Sequence, residues 1–582
     1  MDIRTIAPDL SVSPQITPQD VGVAASKGYR SIIINRPDQE SSDQPDHTEI
    51  EAAASRHGLR VQYLPVTPGN ITDEDIADFS DAMRELPAPT LAYCRTGTRS
   101  ASLWALSQAG HLSVEAILKT AESAGYDLSG LTQRLTAAEA GSGVRAAPRA
   151  SQTHDVLIIG GGAAGISTAA SILKRRGDVD IAIVEPRAEH YYQPGWTLVG
   201  GGVFQREQTE RSMQSLMPKG VKWIRTACEG FEPEQNQVVL EDGTRIGYHI
   251  LVVAPGLKLN WDGIEGLRDT LGKNGVTSNY LFDMAPYTWE LVQSLKGGKA
   301  LFTQPPMPIK CAGAPQKAMY LACDAWKRRG VLKDIDVSFH NAGGALFGVK
   351  EYVPALMEYI KAYGIDLAFN QTLVAIDGPA KKAWFDVKDA DGNVTRQEQG
   401  FDMIHVCPPQ TAQDFVARSP LANEAGWVDV DAETLQHNQY GNIFSLGDAG
   451  STPNAKTAAA VRKQAPVAAH NVLCALDGKA PTAVYSGYGS CPLTVERGKI
   501  VLAEFGYGGK LEPSLPKWLI NGEKPTRAAW FLKEKMLPNI YFDMMLKGKE
   551  TLVKPKVLPH RPAAHEAQEA CDFSDSNKNK AA

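Results

Sequence analysis

The 582-residue chain has no run of about 18 apolar residues, the length a helix needs to cross a bilayer. It has no excess of positive charge. Its 60 Lys and Arg stand against 66 Asp and Glu, a net charge of −6, so no basic footprint points to nucleic acid. The first residues, Met1 to Val12, carry neither a basic n-region nor an apolar h-region, which argues against a secretory signal. Cysteine is scarce. Eight in a chain this long cannot form a stapling framework, and in a cytoplasmic setting each is a potential reagent. Hydrophobic residues at 43% and charged residues at 22% exclude wholesale disorder. The length implies roughly three or four domains of about 150 residues.

The chain is expected to be α/β throughout. In residues 1–137, short apolar strands at 31–35, 61–65 and 90–93 alternate with helix-compatible stretches at 72–86 and 100–108, the rhythm of a small parallel sheet. Residues 138–153, rich in Ala, Gly and Arg with Pro148, read as a linker. A larger α/β region spans 154–480, and an aromatic and Met-rich block spans 481–560. The polar residues 561–582 read as a disordered tail.

Asp155-Val156-Leu157-Ile158-Ile159 reads as a buried strand running into Gly160-Gly161-Gly162-Ala163-Ala164-Gly165, with a helix after it. Gly160, Gly162 and Gly165 let the backbone turn tightly and approach a pyrophosphate held on the helix N-terminus. Twenty residues after Gly165, a second strand ends in Glu185, placed to accept hydrogen bonds from a ribose. The motif serves NAD and FAD alike. Two further pieces favour FAD: the strand 250–253 leaving through Ala254-Pro255-Gly256, and a strand at 441–446 ending in Gly447-Asp448.

Several segments resemble the sulfide:quinone oxidoreductases, of the type also found in mitochondria, across roughly residues 154–560. They are Glu189-His190-Tyr191-Tyr192-Gln193-Pro194-Gly195-Trp196, Lys310-Cys311-Ala312-Gly313-Ala314-Pro315-Gln316-Lys317, Gly426-Trp427-Val428-Asp429-Val430, Lys456-Thr457-Ala458 and Tyr488-Gly489-Ser490-Cys491-Pro492-Leu493. The resemblance implies tandem Rossmann-type FAD/NAD(P)-binding domains and a C-terminal membrane-associating helical region. It implies that Cys311 and Cys491 form the redox pair, and that Gln193, Asp448, Lys456 and Thr457 lie on the flavin. Cys228 falls at a backbone contact on the adenosine side, with no role for its thiol. The implied partners are sulfide, a membrane quinone and a small sulfane-sulfur acceptor such as glutathione or sulfite. The implied location is cytoplasmic and peripheral on the inner membrane. No metal site is expected, and a homo-oligomer is left open. Cys323, Cys407, Cys474 and Cys571 are read as inert, Cys407 being the one nearest the expected site.

Residues 529–532 and 540–546 interleave apolar side chains with Lys533, Lys535, Lys547 and Lys549, the pattern of a monotopic anchor whose lysines reach head groups. The alternative is an ordinary amphipathic core helix. Phe505 is a candidate for stacking on the quinone.

Upstream, Cys94-Arg95-Thr96-Gly97-Thr98-Arg99 sits between a strand and a helix, where backbone amides, the helix N-terminus and arginines stabilise a thiolate. A tyrosine-phosphatase loop has five residues between Cys and Arg; here four separate Cys94 from Arg99. The loop resembles that of rhodanese-type sulfurtransferases, and the domain resembles small phosphatase-fold proteins. Sulfur transfer at Cys94, assisted by Arg99, is favoured over a tyrosine phosphatase-like activity. Asp73 and Asp75 read either as general acids or as a helix first turn. Two rival readings remain for the whole chain: a type II NADH:quinone dehydrogenase and a non-catalytic redox sensor. The dehydrogenase needs a second nucleotide loop, and His340-Asn341-Ala342-Gly343-Gly344 is not G-x-G-x-x-G.

Overall fold

A computed structural model of the chain describes residues 1–7, 9–41, 44–67, 71–109, 112, 114–141, 150 and 152–558. The chain divides into two compact units, Met1–Pro148 and Arg149–Ala582. The expected tail, with Cys571, lies outside the described residues.

The first unit is built on a five-stranded sheet in the order Arg4–Ala7, Leu10–Ser13, Thr90–Tyr93, Ser31–Ile34, Arg60–Tyr63. The opening pair is antiparallel and the other neighbours are parallel. Ser31–Ile34 and Thr90–Tyr93 are buried along their whole length, as strands covered by helices on both faces must be. Successive side chains point to opposite faces. Ile33 and Ala92 therefore join Phe79, Leu103 and Trp104 on one side, while Ile32, Ile34 and Tyr93 join Ile50, Ala53 and Ala54 on the other. The strand ending at Tyr93 is central, which puts residue 94 at the carboxyl edge of the sheet.

Two expectations meet the structure here. Asp75 is a helix cap: its carboxylate accepts from the Thr72 amide at 2.7 Å and from the Thr72 hydroxyl at 2.7 Å, closing a capping box at the start of Asp73–Glu85. Asp73 pairs with Arg134 on the surface, and both carboxylates take the helix first-turn role, one of the two readings. The linker is also shorter than expected. The helix Thr132–Gly141 runs into it, because Ala-rich sequence propagates a helix, and the strand Gln152–Ile159 begins before its other end.

The second unit is built on two larger sheets. The first is mixed and seven-stranded: Lys222–Ile224, Ile181–Val184, Gln152–Ile159 and Arg245–Val253 run parallel, with Ile443–Ser445 parallel beside Arg245–Val253, and Gln237–Leu240 and Cys228–Glu232 continue it antiparallel. The helices Ala163–Arg175 and Ala458–Leu476 pack on it. The second sheet orders Val276–Thr277, Met403–His405, Gly298–Gln304, Ile335–Asn341 and Asp366–Phe369, again parallel. The helix Ala314–Arg329 follows Gly298–Gln304. This is the tandem Rossmann-type arrangement, and the turn that would carry the second glycine motif carries Cys311 instead.

The block 481–560 is not wholly helical. It opens with an antiparallel hairpin, Gly489–Glu496 with Lys499–Phe505. Leu493, Val495, Val501 and Ala503 of that hairpin share a core with Met319, Ala322 and Trp326 of the Ala314–Arg329 helix. The expected anchor at 540–546 is corrected as well. Tyr541, Phe542, Met545 and Leu546 are buried in the core of the first sheet, so that segment has the amphipathic core role. The exposed large apolar side chains of the block lie elsewhere, at Trp518, Leu519, Phe531 and Met536 and, further on, at Leu552 and Val557. Among the described residues no helix is long and apolar enough to cross a membrane.

Candidate active site

The hairpin delivers Cys491 to Cys311. The two Sγ atoms lie 3.4 Å apart although 180 positions separate them in sequence. This is a contact between two thiols, since a disulfide bond measures about 2.05 Å. Gly313 makes the approach feasible: a Cβ there would stand 2.5 Å from the Cys491 sulfur and 2.3 Å from a Leu493 methyl. Cys311 itself has φ +54° and is tied to the opposite loop by its amide, which donates to the Lys456 carbonyl at 2.9 Å. It stands just before the N-terminus of a 16-residue helix, whose dipole favours a thiolate.

The contact between the two sulfurs decides which one is charged, and a buried lysine supports the charge. Lys317, one turn into that helix, donates to the Cys311 sulfur at 3.0 Å. Hydrogen bonding from Cys491, with the Lys317 ammonium, holds the Cys311 thiol well below its ordinary value against the cost of burial. The same contact with Cys311, added to burial, pushes Cys491 well above its own. Burial opposes the charge on Lys317, but the two sulfurs overcome it and keep the lysine protonated. A third group was missed by the sequence reading. Lys533, expected to reach lipid head groups, is 3% exposed, donates to the Pro194 carbonyl at 3.2 Å, and faces Lys317 and both cysteines. Burial lowers its pKa to about 7. An apolar stretch bearing one inward-pointing lysine was the available signal.

The nucleotide-type cradle forms beside this pair. The amide of Gly161 donates to the Glu185 carboxylate at 2.8 Å, so Glu185 pins the turn with one oxygen. A Cβ on Gly160 would meet the Ala254 carbonyl at 2.4 Å and one on Gly165 would meet the Gly160 carbonyl at 1.9 Å, while one on Gly162 would meet nothing within 4 Å. The first two glycines allow the backbone to pack. The third faces open space at the start of Ala163–Arg175. Lys456 donates to the Asp448 carbonyl at 2.8 Å and the Gly450 carbonyl at 3.0 Å, and Thr457 caps the helix Ala458–Leu476. The Asp448 carboxyl is raised by burial, partly offset by Lys310 and Lys456, and the residue is half-buried at the end of the strand Ile443–Ser445. Gln193 accepts a hydrogen bond from Lys310.

In the first unit Cys94 follows the central strand Thr90–Tyr93 and is fully buried. Gly97, at φ +87°, turns the chain into the helix Thr98–Ser107. Among the described residues no acceptor takes the amides of residues 95–100. The Arg99 guanidinium donates to the Val66 carbonyl at 2.7 Å and to Glu40 at 2.8 Å, and Glu40 also holds Arg36. Asp38, Asp46 and His47 cluster nearby in the same unit, and Asp46 caps the helix His47–Arg56.

Residues 154–465 match the pyridine nucleotide-disulphide oxidoreductase family. A mitochondrial sulfide:quinone oxidoreductase of Dictyostelium discoideum is 43% identical over 413 residues, 69% of this chain and 89% of that protein. The chain belongs to the sulfide:quinone oxidoreductase family. The crystal structure of the sulfide:quinone oxidoreductase from Aquifex aeolicus shares the fold, with a TM-score of 0.56 at 21% identity over 71% of this chain and 99% of that one. The first unit is a separate addition. Residues 2–111 match the phosphatase-like domain of beta-lactamase hydrolase-like proteins, and one of these, from Xylella fastidiosa, is 35% identical over 130 residues, 22% of this chain and 30% of that protein. Only this domain is shared with that relative.

Like the rest of the sulfide:quinone oxidoreductase family, the chain uses FAD. The residues present fit it: an open glycine at a helix N-terminus suits a pyrophosphate, and the half-buried Asp448 carboxylate beyond the strand Ile443–Ser445 suits a polyol chain. The remaining cysteines sit apart from this chemistry. Cys228 donates to the Gly230 carbonyl at 3.6 Å and burial pushes its thiol up to about 12. Cys323 is buried on the Ala314–Arg329 helix, and Cys474 contacts Thr482. Cys407 does lie near Tyr280, Lys310 and Cys311, but burial holds its thiol up at about 12. Phe505 packs edge-on against Phe347 at 6.0 Å.

Proposed function

We infer that this chain oxidises sulfide at the Cys311/Cys491 pair, passes the electrons to a membrane quinone and releases sulfane sulfur to a small acceptor of the glutathione or sulfite type. The observation that carries this reading is the 3.4 Å approach of the two sulfurs against a lysine 3.0 Å from one of them. When the pair is oxidised, HS⁻ attacks the Cys491 sulfur and the S–S bond breaks. Cys491 keeps the added sulfur as a persulfide, and Cys311 leaves as the thiolate. Lys317 and Lys533 stabilise that leaving thiolate. The acceptor then removes the outer sulfur and leaves a Cys491 thiol beside the Cys311 thiolate. Closing the S–S bond again releases two electrons and one proton. FAD, which Gly162, Gln193, Asp448, Lys456 and Thr457 would hold, would supply the two-electron acceptor between that closure and the quinone.

The membrane face is formed by Trp518, Leu519, Phe531 and Met536. Residues Leu515, Ile520, Trp530 and Leu532 from the same two segments pack together beneath, which supports a single apolar rim. The enzyme works on the cytoplasmic side of an inner membrane, as a peripheral protein and in a homo-oligomer if it assembles. The first unit acts as a sulfurtransferase: Cys94 takes sulfane sulfur as a persulfide within the amide loop, with Arg99 set by Glu40 and Val66. Four intervening residues, rather than five, favour this over phosphate hydrolysis.

Replacing Cys311 with Ser and supplying sulfide or NADH in turn tests the reading. Loss of sulfide oxidation without NADH oxidation supports it, and retained NADH:quinone turnover restores the dehydrogenase alternative.

A further inference from the structure

Tyr126 is buried against the Cys94 loop with its hydroxyl unsatisfied. The residue is 5% exposed, and the hydroxyl has no hydrogen-bond partner among the described residues. Its backbone is fixed, the amide donating to the Ala121 carbonyl at 2.9 Å past the end of the helix Val114–Ser123. The hydroxyl is aimed at the middle of the loop: a Cβ on Gly97 would stand 2.2 Å from the Tyr126 oxygen and 2.8 Å from the ring carbon bearing it. Gly97 is the cap of a ten-residue helix, so the oxygen lies beside a helix N-terminus.

A buried hydroxyl without a partner is costly, because it has given up its hydrogen bonds to water and gained none in return. The fold retains this one beside Gly97, in a loop whose amides at residues 95–100 have no acceptor among the described residues. A donor hydroxyl aimed at a run of unclaimed amides is the description of an anion site completed by its ligand. The groups facing the hydroxyl are Cys94, Arg4 and Asp2. Burial and the neighbouring Asp2 and Cys94 outweigh Arg4 and hold the phenol above its ordinary value, so it stays a donor.

We propose that the Tyr126 hydroxyl is a positioning donor for the sulfur anion on Cys94, binding the thiolate before transfer and the outer sulfur of the persulfide after it. This rests on the sulfur-transfer reading of Cys94. With thiosulfate as the probe, the Cys94 thiolate attacks the outer sulfur and the thiosulfate S–S bond breaks. Sulfite leaves with the electron pair, and Cys94 retains one sulfur as a persulfide anion. Tyr126 lowers the energy of the anion at both ends of that step and exchanges no proton.

The test compares the full-length protein with Tyr126→Phe, which keeps the ring. Peptide-resolved mass spectrometry reads the gain of one sulfur atom at Cys94 after thiosulfate, and the pH profile of iodoacetamide capture reads the Cys94 thiolate. Loss of a hydrogen bond to a charged sulfur should slow loading roughly tenfold and move the alkylation profile to higher pH. Sulfide:quinone turnover should be unchanged. A variant that loads and alkylates like the wild type overturns the role of the hydroxyl while leaving sulfur transfer standing. A wild-type Cys94 that takes up no sulfur overturns both. Hydrolysis of p-nitrophenyl phosphate that depends on Tyr126 overturns the proposal too, by making the anion a phosphate.

Discussion

The chain contains two sulfur sites built on opposite principles. At Cys94 most of what stabilises charge is local: six consecutive amides, a helix N-terminus and an arginine five positions on, with the Tyr126 hydroxyl as the one distant donor proposed. At Cys311 the stabilising groups are a lysine one helical turn away, a cysteine 180 positions away and a lysine from the C-terminal block. The first site binds an anion with dipoles, which stay where the backbone puts them. The second uses full charges removed from water, which is costly unless each charge has its counterpart. A dipole cradle suits holding and handing over a sulfur. A charged, buried pair suits a reaction in which a thiolate must appear and disappear.

The sharpest way to break this comparison is to remove one site and read the other. Cys491→Ser should lower sulfide:quinone turnover by about a thousandfold or more, as expected for a reacting atom, while Cys94 still loads sulfur from thiosulfate. If Cys94 loading from thiosulfate falls in step, the two sites are not chemically independent. Lys317→Met should cost roughly 10–100-fold in turnover with a small change in the KM for sulfide, because the lysine stabilises a thiolate formed during the reaction. A matching change at Cys94 is not expected. An effect confined to KM would mean that Lys317 only attracts sulfide.

Lys533 sharpens the comparison through stability. Its folded pKa of about 7 lies below the 10.5 of an exposed lysine, so the unfolded chain binds more protons between those values. The penalty for burying the charge is complete below pH 7 and fades as the pH rises towards 10.5. Denaturant unfolding of the full chain should therefore show Lys533→Met more stable than wild type at pH 7, by on the order of 2–4 kcal/mol, with the gap closing by about pH 10. Turnover should fall nonetheless. A pH-independent gap would place Lys533 in water. The smallest expected effect is at Arg99→Lys, where loss of the fork between Val66 and Glu40 should slow Cys94 loading about tenfold and leave quinone reduction untouched.

The legibility of the two sites follows from the same contrast. The Cys94 loop was readable because its parts are contiguous: a short, mostly apolar strand, a turn glycine and a helix start in one stretch. The glycine turn at 160–165 was readable for the same reason, and Glu185 follows one strand later. Nothing in spacing brings residues 311 and 491 together; that pairing came from resemblance, and the hairpin that performs it went unseen because its strands fall in a block read by its aromatics. Lys533 and the 540–546 stretch were misread together. An amphipathic segment looks the same whether its apolar side meets lipid or the rest of the protein. Here Tyr541 donates towards His190, 351 positions away, at 2.7 Å, which no local pattern announces.

Anaerobic addition of sulfide to the purified, quinone-free protein tests the central claim most directly. The account predicts loss of the oxidised flavin absorbance within the dead time of a turnover, its return on adding a quinone, and no response in Cys311→Ser. A flavin that stays oxidised with sulfide but bleaches with NADH would contradict it.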